Sequence, residues 1–366
     1  MKPVERLTDI ETPVGYVDLE RVRRNAARAA EYCGAHGLGW RPHIKTHKSR
    51  TVAALQLEHG ASGLTVATLR EAEVMADLTD DLLLAYPPVG RAKLDRLLSL
   101  PGHLDLKVGL DSVDVLSDLA GAAEAAGRTV GVLVEMDAGM GRVGLTTPEA
   151  VVGLAQATQE MAGVRFRGLM FYPGHVRMPA GEQSGALADV AARLDGVLSA
   201  LAAEGLRPEI VSGGSTPTLW RSHEIAGVTE VRPGSCIYYD REGLDLGVAS
   251  EGDLAYTVLA TVVSTSVPGQ AVVDAGSKAL AKEDRGGGGF GILLDRPEVV
   301  VRSLSEEHGV LDLASTDWKP AVGERVRIVP NHVCVSVNLQ DSLLVKDGDV
   351  HGMMPLEARG RGPWNP

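Results

Sequence analysis

Short apolar runs that end at Gly, Pro, Asp or His recur through the first two thirds of the chain. Between them Ala, Leu and Glu repeat with helical periodicity, as in residues 112–126 and 186–204. Eight such alternations over about 200 residues are typical of a (β/α)8 barrel, because an open doubly wound sheet has fewer strands and a glycine-rich fingerprint after the first. The predicted strands are 40–44, 63–67, 81–86, 104–110, 131–137, 165–172, 209–214 and 230–236.

Beyond residue 255 the pattern changes to β-branched runs separated by turn residues. We therefore predict an α/β chain with two domains, a barrel over 18–245 and a mostly β domain that combines 1–17 with 246–366. The extended segment 12–19 is expected to pair with the second domain. The predicted strands of that domain are 256–267, 271–274, 299–304, 324–330 and 332–339.

Composition removes several classes of function. The chain has 366 residues, 44% of them hydrophobic, so it can bury a large core, and its net charge of -12 argues against binding to nucleic acid or anionic membrane surfaces. The amino terminus lacks the apolar run of a signal peptide, and no stretch suits a membrane span. Three scattered cysteines are too few for a disulfide framework. We expect a cytoplasmic protein with reduced thiols and no nucleic-acid or membrane partner.

The first candidate chemistry is a basic run, Arg-Pro-His-Ile-Lys-Thr-His-Lys, at residues 41–48. If the run is a strand, Arg41, His43, Lys45 and His47 share one face, which should meet an anion or a polar cavity. A desolvated lysine beside other cations has a depressed pKa, and its neutral amine can form a Schiff base with an aldehyde such as pyridoxal phosphate. The alternative is a basic edge strand with solvated side chains, and the run alone leaves both open.

Polar residues also cluster after the later barrel strands, where barrels of this kind carry their chemistry. The sequence Ser-Gly-Gly-Ser-Thr at 212–216 follows strand seven, and Arg-Pro-Gly-Ser at 232–235 lies in strand eight. Glycines let backbone N–H groups approach an anion, and Ser215 with Thr216 would open a helix whose positive end favours phosphate. The alternative is an ordinary turn with a helix cap.

Strands five and six end in further candidates. Arg142 would pair with a phenolate oxygen of the cofactor ring or form an ion pair with Asp137 or Glu135. Tyr172 would contact the ring or plug the barrel, and His175 would transfer protons or bond a loop carbonyl. The sequence leaves these alternatives open.

A donor pair lies in the second domain. If 332–339 is a strand, His332 and Cys334 share a polar face, and an imidazole with a thiolate two residues apart can bind one ion, Zn²⁺ first. Open coordination positions would remain for water or substrate, as in a catalytic metal site. The alternative is a packed cysteine beside a surface histidine.

Together the motifs at 41–48, 212–218, 232–235 and 330–334 resemble those of the D-threonine aldolase and D-serine dehydratase family over nearly the whole chain. The resemblance implies an alanine-racemase-like fold, pyridoxal 5′-phosphate in the barrel, a divalent metal in the β domain, and a homodimer. By the same resemblance Lys45, His47 and His332 are catalytic, with Lys45 the Schiff-base lysine. The ring would be contacted by Arg142 and Tyr172, the phosphate held by Gly213, Gly214, Ser215, Thr216, Gly234 and Ser235, and the metal bound by His332 and Cys334.

The resemblance implies a lyase of small D-3-hydroxy-α-amino acids, and the motif set favours a D-threonine aldolase that releases glycine and an aldehyde. The alternative is a dehydratase of D-serine or D-3-hydroxyaspartate, because dehydratases of the family carry the cysteine found at Cys334 where aldolases have aspartate. A thiolate suits Zn²⁺, whereas Mn²⁺ or Mg²⁺ would suit a carboxylate. An amino-acid racemase and a noncatalytic pyridoxal phosphate carrier are further alternatives.

Overall fold

The computed structural model describes residues 2–284 and 286–364. The chain divides into two compact units. The barrel unit comprises Ala27–Lys45, Ala53–Gly234 and Ala358–Pro366, and the β unit comprises Met1–Ala26, Thr46–Val52 and Ser235–Glu357. The predicted domain limits, 18–245 for the barrel and 1–17 with 246–366 for the β domain, remain a prediction. No helix in 2–284 or 286–364 is long and apolar enough to span a bilayer.

The described residues form strands, α-helices and six short 3-10 helices. The strands are β1 (Lys2–Val4), β2 (Val14–Asp18), β3 (Gly39–Trp40), β4 (Leu64–Val66), β5 (Asp81–Leu84), β6 (Asp105–Leu110), β7 (Val130–Glu135), β8 (Val164–Met170), β9 (Ile210–Gly213), β10 (Glu230–Val231), β11 (Tyr256–Ser264), β12 (Gln270–Val273), β13 (Gly291–Leu293), β14 (Arg296–Leu304), β15 (Gly309–Asp312), β16 (Arg325–Pro330), β17 (Ser342–Asp347) and β18 (Val350–Pro355). The α-helices are α1 (Leu19–Ala35), α2 (Arg50–Glu58), α3 (Leu69–Met75), α4 (Arg91–Leu98), α5 (Val113–Ala125), α6 (Pro148–Glu160), α7 (Ser184–Ala203), α8 (Arg241–Asp245), α9 (Ser277–Leu280) and α10 (Val333–Asn338). The 3-10 helices are Leu7–Asp9, Ile44–Thr46, Ala180–Glu182, Leu219–Glu224, Ser235–Ile237 and Glu251–Asp253.

Strands β3 to β10 form one parallel sheet in the order β3-β10-β9-β8-β7-β6-β5-β4, and each overlaps a predicted run. The sheet closes where the N–H of Thr65 donates to the carbonyl of Pro42 at 2.9 Å and His43 pairs with Thr65. The predicted barrel is therefore confirmed. Capping side chains start several of the helices. At the start of α6, Thr147 accepts a hydrogen bond from the N–H of Ala150 at 3.3 Å, and Pro148 fixes the first helical position.

The outward face of the sheet forms the core with the surrounding helices, through buried Leu, Val and Ala. The inward face of the sheet is not lined by aliphatic side chains alone. Leu83, Leu133 and Met170 form one apolar layer, and the residue beside them is Gly109, where a Cβ atom would lie 2.0 Å from the sulfur of Met170. Charged side chains also occupy the interior, as where buried Arg41 pairs with Glu230.

In the β unit, β11, β12, β15, β14, β13 and β16 follow one another as antiparallel neighbours, and β16 pairs back onto β11, so these six strands close into a second barrel. Strand β2 pairs antiparallel with β11, with Tyr16 opposite Thr257, and β17, β18 and β1 extend the sheet from β2. The predicted mostly β domain and the pairing of segment 12–19 with it are confirmed.

Two predicted strands are wrong in ways that affect the site. Residues 332–339 contain helix α10, because buried Val333 and Val337 stand four residues apart and suit one helical face as well as one strand face. Strand β3 ends at Trp40, since Pro42 has no N–H for the ladder, and the chain turns into a 3-10 helix at Ile44–Thr46.

Candidate functional site

The basic run after β3 does not present a single face. Arg41 is buried inside the barrel, and its guanidinium contacts Asp81 and both oxygens of Glu230, the latter at 2.9 Å each. Within residues 41–48 only Lys45 is exposed. The predicted shared face and the desolvated amine are therefore wrong, because the chain leaves the sheet before Lys45. The predicted need of these cations for anions is confirmed for Arg41.

Tyr172 brings two of the predicted cofactor residues together. Its ring centroid lies 5.9 Å from Nζ of Lys45 and 5.0 Å from Cζ of Arg142, both within reach of a cation–π interaction. The neighbouring backbone requires a glycine, because a Cβ atom on Gly174 would lie 2.3 Å from Cε1 of the ring. Lys45, Arg142 and Tyr172 therefore form one cluster at the carboxyl ends of β3, β7 and β8.

The loop that carries Arg142 is held by carboxylates. Asp137 accepts hydrogen bonds from the N–H groups of Gly139 at 3.1 Å and Gly141 at 3.0 Å, and Asp111 accepts one from Gly144 at 2.8 Å. Burial alone would raise the pKa of Asp137, but the donated backbone hydrogen bonds outweigh it and lower that pKa. Asp137 therefore binds its own loop.

Burial raises the pKa of Glu135, which is nearly inaccessible, against the opposing charges of Arg232 and Arg142. The predicted proton-transfer candidate His175 is exposed. Its ring lies 3.1 Å from the place that a Cβ atom on Gly139 would occupy, beside the Arg142 loop.

The loop after β9 has the steric features of an anion cradle. A Cβ atom on Gly213 would lie 2.3 Å from Cζ of Phe171, and Gly214 has a φ of +77°, a left-handed conformation that favours glycine. Ser215 is tied to Thr218, whose hydroxyl accepts from the Ser215 N–H at 3.1 Å. Consecutive N–H groups in such a turn suit a phosphate.

One detail of the predicted phosphate loop is wrong. Ser215 and Thr216 lie in a turn, and the next helix is the short 3-10 helix Leu219–Glu224. The other two predicted phosphate residues follow β10: Gly234 is buried, and Ser235 begins the 3-10 helix Ser235–Ile237.

The predicted catalytic residue His47 belongs to the β unit and is fully buried. Its Nδ1 accepts the N–H of Ser49 at 3.2 Å, and its ring meets the ring of Tyr238 edge-on, with the centroids 6.4 Å apart. Because Nδ1 accepts a hydrogen bond, a neutral His47 carries its own proton on Nε2.

The predicted metal pair lies at the start of α10 and has more donors than the sequence indicated. Nδ1 of His332 lies 3.2 Å from a carboxylate oxygen of Asp240 and 3.6 Å from one of Glu242, and the imidazole also hydrogen-bonds Cys334. The hydroxyl of Thr46 lies 3.1 Å from the sulfur of Cys334. The donor group is thus His332, Cys334, Asp240 and Glu242.

The electrostatics of the donor group favour a cation. The side chains of Asp240 and Glu242 are only 3% and 10% exposed. Burial alone would lower the pKa of His332, but Cys334 and Asp240 outweigh it and raise that pKa to about 12. Asp240, Glu242 and His332 place donor atoms within 4.8 Å of one another, and Cys334 hydrogen-bonds the same imidazole, so the group suits a divalent metal.

Sequence reasoning missed Asp240 and Glu242. They stand two residues apart, just after the last predicted barrel strand, and flank Arg241 at the start of α8. The alternation of two carboxylates beyond an apolar Tyr-Tyr pair was the available signal, yet nothing local connects it with a histidine 92 positions away.

Two family models match the chain. The model described as alanine racemase, N-terminal domain, matches residues 17–242, and the one described as putative serine dehydratase domain matches residues 255–346. The first alone spans more than half of the chain.

Curated relatives match over almost the full length. The 3-hydroxy-D-aspartate aldolase of Paracoccus denitrificans is 35% identical over 371 residues, covering 97% of this chain and 94% of the relative. The D-threo-3-hydroxyaspartate dehydratase of a Delftia species is 35% identical over 355 residues, covering 91% and 93%.

Solved structures give the same picture. A D-threonine aldolase from Filomicrobium marinum superposes with a TM-score of 0.89 at 33% identity, covering 97% of each chain. The Delftia dehydratase superposes with a TM-score of 0.87 at 31% identity, covering 98% of this chain and all of its own. Two further structures described as D-threo-3-hydroxyaspartate dehydratase are a His-to-Ala variant and a Cys-to-Ala variant, the cysteine two positions after the histidine, and the second is described as in the metal-free form.

Proposed function

Because the chain belongs to the alanine-racemase-like family of D-threonine aldolases and D-serine dehydratases, we propose that it is a lyase of D-3-hydroxy-α-amino acids that uses pyridoxal 5′-phosphate and a divalent metal. The observation that carries the proposal is the donor group around His332, since a racemase or a noncatalytic carrier on this scaffold needs no metal.

Pyridoxal phosphate, when bound, supplies an aldehyde for the amino group and a conjugated ring that accepts an electron pair from the substrate. The exposed amine of Lys45 is accessible to that aldehyde, and as a base it removes the α-proton. Arg142 and Tyr172 orient the ring, and the N–H groups of the glycine loop after β9 hold the phosphate.

A divalent ion, when bound, supplies a Lewis acid for the substrate's hydroxyl and carboxylate. We infer that His332 and Cys334 hold it, while Asp240 accepts the Nδ1 proton of the imidazole and so directs Nε2 at the ion. Zn²⁺ is the first choice for a nitrogen and sulfur pair, with Mn²⁺ or Mg²⁺ favoured if Glu242 also ligates.

Two reactions suit these residues. In retro-aldol cleavage, a base takes the proton of the β-hydroxyl, the Cα–Cβ bond breaks to release an aldehyde, and a proton added at Cα yields glycine. In dehydration, Lys45 removes the α-proton and the β-hydroxyl leaves as hydroxide; water then hydrolyses the imine tautomer of the resulting enamine to a keto acid and ammonia.

We propose dehydration as the main activity, and the presence of Cys334 is the reason for preferring it. A D-threo-3-hydroxyaspartate dehydratase has been solved as a His-to-Ala variant and as a Cys-to-Ala variant two positions later, the second in the metal-free form. Its named substrate class, D-threo-3-hydroxyaspartate, comes first for this chain. Retro-aldol cleavage, which the motif set favoured, is the second candidate and is supported by the two aldolases that match across the whole chain.

Product identification tests the proposal. The purified protein, loaded with pyridoxal phosphate and Zn²⁺ or Mn²⁺, is incubated separately with D-threonine, D-serine and D-threo-3-hydroxyaspartate. Keto acid and ammonia without glycine support dehydration, and glycine with an aldehyde supports the aldolase. Activity that survives chelation and yields the L-enantiomer would support a racemase instead, and cofactor absorbance without turnover would support a carrier.

The variant Cys334→Asp sharpens the choice, because it exchanges the sulfur donor for the carboxylate of the aldolases. We expect it to keep a metal, to prefer Mn²⁺ over Zn²⁺, and to lose dehydration relative to cleavage. An unchanged product ratio would remove Cys334 as the determinant. We further infer a homodimer from the family, which light scattering of the purified protein tests.

A further inference from the structure

Glu230 joins three strands of the barrel through one buried carboxylate. It lies on β10, its side chain is 7% exposed, and both of its oxygens lie 2.9 Å from Nε of Arg41, which follows β3. One oxygen also accepts the hydroxyl of Ser212 on β9 at 2.6 Å. These are the strands whose carboxyl ends lead to Lys45, the glycine loop and Gly234.

Ser212 connects Glu230 to a second buried cation. Its hydroxyl oxygen accepts a hydrogen bond from Nη1 of Arg232 at 2.6 Å, and the same hydroxyl donates its proton to Glu230. The other terminal nitrogen of Arg232 donates to the carbonyl of Phe171 at 2.8 Å. Both direct acceptors of Arg232 are therefore neutral, and its nearest formal charge along this chain of bonds is Glu230.

A buried guanidinium that bonds neutral acceptors depends on nearby carboxylates, because desolvation of its charge is costly. Burial lowers the pKa of Arg232, and Glu230 and Glu135 oppose that shift. Its acceptor Phe171 directly precedes Tyr172, the ring that lies between Lys45 and Arg142. Arg232 thus stands between the charged barrel interior and the candidate site.

We propose that Glu230 and Ser212 are positioning residues that hold Arg232 charged and oriented toward the candidate cofactor site. The proposal rests on the proposed function in that the site is one for pyridoxal phosphate. Glu230 acts through Ser212 and Arg232 and does not contact a reacting atom. It fixes the ends of β3, β9 and β10 relative to one another and supplies, through the Ser212 hydroxyl, the negative charge that Arg232 requires.

The same barrel offers a matched control on another strand. Asp105, the first residue of β6, accepts Nζ of Lys107 at 2.8 Å and Nη1 of Arg167 at 2.9 Å. Like Glu230 it is a carboxylate between two cations at the first residue of its strand, but its bonds run through Lys107, Asp81 and Arg41 before they reach Glu230.

The test compares Glu230→Gln, Ser212→Ala, the double variant and Asp105→Asn with the wild-type protein. The dissociation constant of pyridoxal phosphate is measured by absorbance titration, together with the thermal midpoint and the turnover of D-threo-3-hydroxyaspartate. We expect Glu230→Gln and Ser212→Ala each to weaken cofactor binding about tenfold, as loss of a supporting partner does at other sites. Asp105→Asn should lower the thermal midpoint and leave the dissociation constant unchanged.

The double variant separates positioning from general weakening. Because both residues act through one relay, we expect the double variant to match the weaker-binding single variant rather than to multiply the two losses. Additive losses, unchanged binding in Ser212→Ala, or equal weakening in Asp105→Asn would overturn the proposal. Ser212→Ala removes only a hydroxyl and keeps the test open if Glu230→Gln does not fold. A wild-type protein that binds the cofactor but turns over no D-3-hydroxy amino acid would contradict the proposed function alone.

Discussion

Nδ1 of His332 lies 3.2 Å from Oδ2 of Asp240, and the same oxygen accepts the N–H of Val333 at 2.9 Å. The other oxygen of Asp240 accepts the N–H of Gly243 at 3.1 Å, so one carboxylate caps α8 and also meets the first N–H of α10. A neutral imidazole that donates from Nδ1 has its lone pair on Nε2. Asp240 therefore fixes both the position of the histidine and the nitrogen that can bind an ion.

We predict that Asp240→Asn weakens metal binding about 10- to 100-fold, because loss of the partner of a ligating histidine has that effect in other sites. The amide removes a charge and leaves only one acceptor oxygen for three donors. Metal affinity is measured by competition with a chromophoric chelator. Asp253→Asn is the control, since Asp253 caps the start of a 3-10 helix through Ser250. Equal affinities in Asp240→Asn and Asp253→Asn would contradict the assignment.

Replacement of Lys45 by alanine should abolish the absorbance at about 420 nm that a protonated Schiff base gives, because this side chain is the exposed amine beside Tyr172 and Arg142. The control is Lys278→Ala, whose amine is held by Glu306 at 2.9 Å and Glu307 at 2.7 Å. Spectra of the purified variants decide the point. Absorbance that survives in Lys45→Ala and disappears in Lys278→Ala would move the anchor to Lys278.

Gly213→Ala should destabilise the barrel unit and weaken cofactor binding, since the added methyl group would lie 2.3 Å from the ring of Phe171. Overpacking of this kind costs about 1–3 kcal/mol. Gly196→Ala in α7 is the matched control, because its new Cβ atom meets nothing within 4 Å, and it should stabilise the helix by about 0.5–1 kcal/mol. Chemical denaturation gives the free energy of unfolding of each, and absorbance titration gives cofactor affinity. Equal free energies of unfolding for Gly213→Ala and Gly196→Ala would show that the loop accommodates the added methyl group without strain.

Asp137→Asn should lower stability at neutral pH, because the carboxylate accepts the N–H groups of Gly139 and Gly141. The folded-state pKa of Asp137 is lowered, so its contribution is present above the unfolded pKa of about 3.9 and is lost as the pH falls through the folded pKa. We therefore expect the thermal midpoint of the wild type to exceed that of Asp137→Asn at pH 7, with the gap closing in acid.

The control for this pH series is Asp195→Asn, which changes an exposed carboxylate on α7. Its thermal midpoint should follow that of the wild type at every pH. A gap between Asp137→Asn and the wild type that widens toward acid would reverse the sign and refute the role given to the carboxylate.

Local patterns in the sequence were enough for the order of the barrel elements, but they missed β13, β15, β17 and β18 in the β unit. Each barrel strand is a short apolar run closed by a turn residue, and that signal depends on a few neighbouring positions. The fold then placed Lys45, Arg142 and Tyr172 together, because barrels gather the carboxyl ends of their strands at one face. The errors arose where a period of two also satisfies a helix, as at Val333 and Val337 in α10.

The sequence by itself determined the two kinds of fold, the motifs and the candidate lysine, because these depend on spacing along the chain. Only the tertiary structure decided which distant groups meet. Asp240 reaches His332 across 92 positions, and Arg41 reaches Glu230 across 189. Such pairings follow from how strands and helices pack, and neither partner carries a local signal of the other.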